Sequence, residues 1–167
     1  MNSVVFIHNK CPECLELFQK IDREFGFLFD EFHGFVKDCK ADQYGCDILI
    51  NVEGVGIRFE TSPRDGIEFA NGIILPVEDP SNKLNRPHSI STIIDFIENA
   101  PPSKYQGPDW SDHRFYNPAD FKNALQRVIA FYKSPEFVKR SRKFNEWYEW
   151  QTEEFIKSVK DYYRSHS

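Results

Sequence analysis

Residues 47–61, DILINVEGVGIRFET, alternate apolar and polar side chains across a two-residue break, and this pattern restricts the fold more than any other feature. A period of two puts Val55, Ile57, Phe59 and Thr61 on one face of a strand and Gly56, Arg58 and Glu60 on the other. DILINVE reads as the preceding strand, with Gly54 as the turn. SPRDG at 62–66 has the chemistry of a second turn. A third strand is expected from Ile67, broken near Asn71-Gly72 and resumed as IILPV. Connections this short cannot hold a crossover helix, so the strands must pair as an antiparallel meander of three or four.

Helical periodicity flanks this block. A β-like run, VVFIH, leads into Cys11-Pro12-Glu13-Cys14. Pro12 suits the first turn of a helix, where its missing N–H costs nothing. Cys14, Leu15, Phe18, Ile21 and Phe25 then fall on one helical face, and Gly26 marks the stop. FLFDEFHGFVKD fits either a helix extension or a first strand. After a polar loop at 79–88, Ser89 opens a short helix striped by Ile90, Ile93, Ile94 and Ile97. Residues 101–118 read as loop. Asn117 caps a helix with Pro118 at its first position, and Ser134-Pro135 repeats the device. The last helix is expected to run unbroken to about Tyr163, roughly 42 Å long. An N-terminal helix, an antiparallel sheet of three to four strands and three C-terminal helices, one of them long, make an α+β fold. The length, 167 residues, predicts a single domain over 1–167: helix, sheet and short helix in 1–100, then a proline-rich connection and helical hairpin in 101–167.

Sixteen phenylalanines must pack somewhere, which argues against disorder. The formal net charge of −5 is unevenly spread: −8 over residues 1–100 and +3 over 101–167. An acidic N-terminal part argues against broad nucleic-acid binding and fits a basic partner. No apolar run reaches 18 residues and no signal-peptide pattern opens the chain, so a cytoplasmic location with no membrane contact is expected. Cys11, Cys14, Cys39 and Cys46 are then reduced thiols.

Cys-Pro-Glu-Cys resembles the start of a thioredoxin-type site, with Cys11 attacking and Cys14 resolving. That fold needs a helix where 38–54 reads as turn and strand, and a cis-proline facing the thiols, for which Pro63 is the candidate. Four-cysteine zinc binding meets a spacing objection. C-x2-C is followed by C-x6-C, looser than zinc ribbons use, although His33 is an alternative ligand, and no metal or cofactor is assigned. Asp109, Trp110, Asp112 and His113 form a polar loop with an anchoring tryptophan. KRSRK at 139–143 reads as a solvated helix face. No HExxH, GxSxG or phosphate loop is present.

EFGF at 24–27 and DILINVEGVGIRFETSPRDGIEF at 47–69 resemble a group of small bacterial immunity proteins of toxin–immunity systems, including contact-dependent growth inhibition. The resemblance covers about residues 12–100. Residues 101–118 and the extended last helix depart from it. It implies no catalytic residue, and a cognate toxin domain, such as a nuclease with a basic cleft, as the partner. The acidic and aromatic candidates for that contact are Asp30, Glu31, Glu60, Asp65, Glu68, Asp109, Trp110 and Asp112. The long helix leaves monomer and homodimer open.

Overall fold

The computed structural model describes residues 3–62, 67–108, 114–115 and 117–166, without the side chains of 62 and 67–70. These residues fall into two compact units, one drawn from 1–78 with 84–90 and the other from 79–83 with 91–167. Among the described residues no helix is long and apolar enough to cross a membrane.

The first unit has helices α1 (Ser3–Lys10), α2 (Leu15–Phe25) and α3 (Phe27–Asp30), with a 3-10 turn at Pro12–Cys14 before α2. Strands β1 (Phe35–Asp42), β2 (Gly45–Val52), β3 (Val55–Ser62) and β4 (Ile67–Ile74) follow. They pair in chain order, β1-β2-β3-β4, and every pairing is antiparallel. The predicted alternation is realised: Ile48, Ile50, Val55, Ile57 and Phe59 are fully buried. The Phe25 and Phe59 rings lie 5.4 Å apart, tying α2 to the inner sheet face. Glu53 and Gly54 make the β2–β3 turn with φ of +53° and +95°. A two-residue hairpin turn needs positive φ at both positions, and glycine adopts it without strain.

Two expectations are corrected, and one open alternative is resolved. VVFIH is helical, not β-like: α1 buries Ile7 while Val4 and Val5 stay about half exposed. β-branched residues favour strands only where a ladder awaits them, and no strand pairs with this segment. FLFDEFHGFVKD divides into both of its readings, α3 and then β1. β4 runs unbroken through Asn71-Gly72. Gly72 is there because Pro87 covers it: a Cβ at 72 would sit 2.7 Å from the Pro87 Cβ.

The second unit contains residues 91–98 of α4 (Ile90–Glu98), then α5 (Pro118–Tyr132), α6 (Glu136–Ser141) and α7 (Phe144–Ser165). α5 starts as expected. The Asn117 side chain accepts from Asp120 N at 2.9 Å, and Pro118 holds the first turn. Asn117→Ala should destabilise this unit by about 1 kcal/mol in denaturant titrations, while Asn117→Asp should retain most of that stability.

The expected unbroken last helix is split at Arg142-Lys143. The Ser141 carbonyl accepts from buried Asn82 Nδ2 at 2.7 Å, and the Ser141 hydroxyl donates to Val138 O at 3.1 Å. A side chain from outside the helix thus bonds the carbonyl at which α6 ends. KRSRK is likewise not a uniformly solvated face, because Arg140 turns inward onto Phe96 and Phe131. The segment after Pro101 lies along the C-terminal half of α7. Tyr105 N donates to Ser158 Oγ at 2.9 Å, and the Tyr105 ring meets Phe155 and Tyr162 edge-on.

Candidate functional site

Two features of the first unit combine unusual chemistry with defined geometry: a group of thiols beneath the sheet and a charged hollow on its outer face.

The thiols come from three elements. Cys11 ends α1, with its N–H donating to Ile7 O at 2.8 Å, and the 3-10 turn brings Cys14 back so that the two Sγ atoms lie 3.3 Å apart. Cys39 reaches the inner sheet face through a β-bulge. The β1–β2 register shifts between Val36 and Asp38, so Val36 and Cys39, three residues apart, both point inward. Cys46 lies across the same hairpin, opposite Ala41, and Cys39 lies opposite Ile48. Cys39 and Cys46 thus lie on the inner side of the hairpin, and the one sulfur–sulfur contact shown is that of Cys11 with Cys14.

Burial governs the chemistry of these groups. Cys11, Cys14 and Cys39 are no more than 4% exposed, and Cys46 is half-buried. Burial, followed by the neighbouring Cys46 and Cys11, raises the Cys14 thiol far above its ordinary range. Burial also pushes Cys39 up to about 11 and raises Cys46. Cys14 remains a donor, giving its S–H to Lys40 O at 3.3 Å. A reactive redox pair depends on an exposed thiol held as thiolate, and this environment favours the neutral form. Residues 35–52 form β1 and β2, so the helix a thioredoxin layout needs there is not formed. Pro63 lies outside the described residues. Among the described residues, no three His, Cys, Asp or Glu side chains are placed to hold a metal ion as they stand.

The hollow on the outer face, about 300 Å³, is lined by Asp38, Lys40, Asp47, Leu49, Arg58 and Pro87 among others. Arg58 and Glu60 occupy the polar positions of β3, as the alternation requires. An Arg58 terminal nitrogen meets Asp47 at 2.6 Å and Glu60 at 3.5 Å, and Lys40 approaches Asp47 at 3.6 Å. The Arg58 Nε is buried without a hydrogen-bond partner among the described residues. Beside the hollow, Lys10 pairs with Asp38, and this hydrogen bond holds the Asp38 carboxyl below its usual range.

Of the contact candidates read from sequence, Glu60 belongs to this charged face. Asp30 and Glu31 are exposed at the end of α3. Glu68 lies on β4, but its side chain is outside the description, and Asp65, Asp109, Trp110 and Asp112 are outside the described residues. Sequence reasoning missed Lys40, Asp47 and Arg58 as site residues. The signal for Arg58 was present, since the alternation of 55–61 already placed it beside Glu60.

Comparisons with family models, curated proteins and solved structures find no match to this chain.

Proposed function

We propose that this chain is a non-enzymatic binding protein of the immunity type, which neutralises a cognate bacterial toxin domain in the cytoplasm by docking the outer face of its sheet. The observation that carries this reading is Arg58. Its guanidinium lines the hollow, its carboxylate partners contact one terminal nitrogen, and about a third of its side chain stays exposed. A docking partner that covers this exposed part would exclude water around the Arg58–Asp47 pair, which is how arginine anchors contribute at interfaces. The sheet presents this face already ordered, so docking costs little conformational entropy. The −8 charge of residues 1–100 would steer a basic partner, such as the cleft of a nuclease, toward it.

The thiol–disulfide alternative, with Cys11 attacking and Cys14 resolving, draws less support, because Cys11 is only 3% exposed and the layout lacks the helix that fold needs. The two readings separate in one pair of assays. Titration calorimetry against the toxin domain encoded beside this chain should give a nanomolar complex. Arg58→Ala should weaken that complex by about 30-fold or more, in line with loss of an interface anchor. Insulin reduction dependent on Cys11, with no toxin bound, would reject the immunity reading.

A further inference from the structure

We infer that Cys11 and Cys14 close into a reversible disulfide, a redox switch that exchanges the bond from the Pro12–Cys14 turn to β1 for a covalent clasp between α1 and α2. Their Sγ atoms already lie 3.3 Å apart. The Cys14 N–H donates to Cys11 O at 2.9 Å, and a turn closed in this way holds its end Cα atoms within about 7 Å. A disulfide spans Cα atoms about 4.4–6.8 Å apart, so bonding asks for side-chain rotation rather than a change of fold. Pro12, in the first turn, fixes its own backbone angle in advance. In the reduced protein Cys14 gives its S–H to Lys40 O at 3.3 Å, which ties the turn to β1. A disulfide sulfur carries no hydrogen, so oxidation deletes that tie. Lys40 and Asp38 also line the outer hollow, so a change in β1 reaches the charged face.

The step needs an oxidant, and its class is a low-molecular-weight disulfide such as oxidised glutathione. Helix α1 supplies the access. Among the described residues it buries only Ile7, and its Lys10–Asp38 ion pair is exposed, so the helix opens locally at low cost. In the opened state Cys11 loses its proton to solvent, and its thiolate attacks the small disulfide. A mixed disulfide forms and one small thiolate leaves. Cys14 then loses its proton and attacks the Cys11 sulfur, the Cys11–Cys14 bond forms, and the second small thiolate leaves. The leaving thiolates take up the two protons. Two protein thiols are oxidised and one small disulfide is reduced to two thiols. Burial keeps Cys14 protonated, so closure is slow, which suits a switch and not a turnover catalyst. In reducing surroundings the pair rests as thiols, and it closes when the ratio of disulfide to thiol rises.

Folded full-length protein is to be incubated with excess oxidised glutathione, quenched in acid, alkylated under denaturing conditions and digested with trypsin. Cleavage after Lys10 and Lys20 puts both cysteines in one peptide, residues 11–20. That peptide should be lighter by two hydrogens, while Cys39 and Cys46 alkylate as free thiols. Amide exchange of residues 38–42 should rise by about threefold or more on oxidation, and dithiothreitol should reverse both changes. Cys14→Ser keeps a donor for Lys40 O and forms no bond to Cys11, so its β1 exchange should match the reduced parent with or without the oxidant. Wild-type protein that yields only free thiols or mixed glutathione adducts at Cys11 and Cys14 overturns the proposal. So does a linked pair whose β1 exchange equals that of the reduced protein. Both readouts use wild-type protein without a toxin, so they decide the switch apart from the docking reading and even if the variant fails to fold.

Discussion

Phe59→Ala is expected to destabilise the sheet-bearing unit by about 3–5 kcal/mol, the range for removing a buried phenylalanine from a packed core. Phe59 is fully buried on β3, which like β2 is paired on both sides. Its ring packs against Phe25 of α2, so alanine there opens a cavity between helix and sheet. The surrounding Ile48, Ile50 and Ile57 are held by the ladder and cannot collapse into the space at low cost. Phe59→Leu keeps most of the volume and should cost about 1–2 kcal/mol. Trp147 and Trp150 belong to the other unit, so tryptophan fluorescence is not the readout for this one. Amide hydrogen exchange of β2 and β3 is the suitable measurement. Unchanged protection of Ile48 and Ile57 in the alanine variant would show that Phe59 does not hold α2 to the sheet.

Arg140→Ala is expected to destabilise the second unit by about 2–4 kcal/mol, combining charged hydrogen bonds with desolvated cation–π contacts. Helix α4 ends with carbonyls that lack intrahelical partners. Arg140 donates to Ile97 O at 3.0 Å, to Phe96 O and to Asn99 Oδ1 at 3.1 Å. The same guanidinium lies 5.1 Å from both the Phe96 and the Phe131 ring centroids. Phe96 in turn contacts Phe144 at 4.9 Å and Trp147 at 5.2 Å, so the aromatic cluster and the helix end share one anchor. Arg140→Lys keeps the charge but loses the planar fork, and should recover only part of the stability. Trp147 reports on this unit, so fluorescence-monitored denaturation measures both variants. An alanine variant as stable as the parent would show that the carbonyls and rings do not need Arg140.

Local patterns were legible where one physical constraint acted alone. The alternation in 55–61, the Asn117-Pro118 cap and the apolar stripe of α2 each follow from side-chain period or backbone chemistry, and each appears in the structure. The readings that failed were those in which a distant residue overrode the local signal. Asn82 bonds the carbonyl at which α6 ends. Pro87 explains a glycine that otherwise reads as a strand break. Arg140 looked like one charge in a solvated run until Phe96 and Phe131 were placed beneath it. Candidate contact residues chosen for acidic or aromatic character alone included Glu60 and passed over Arg58, which pairs with it on the same face.

The sequence alone determined that an antiparallel meander must form, because 47–74 alternates in short runs with no length to spare for a crossover. It also determined which faces of β2 and β3 turn inward, since the side-chain period of a strand is fixed by the backbone. Only the tertiary structure decided that Cys39 and Cys46 share the inner face of one hairpin. The bulge between Val36 and Asp38 reverses the phase of β1, and pairing with β2 then carries Cys39 and Cys46 to the face where the Cys11–Cys14 turn is packed. A bulge of this kind is selected by the fit of one strand against its neighbour, and no local pattern in FVKDCKAD announces it.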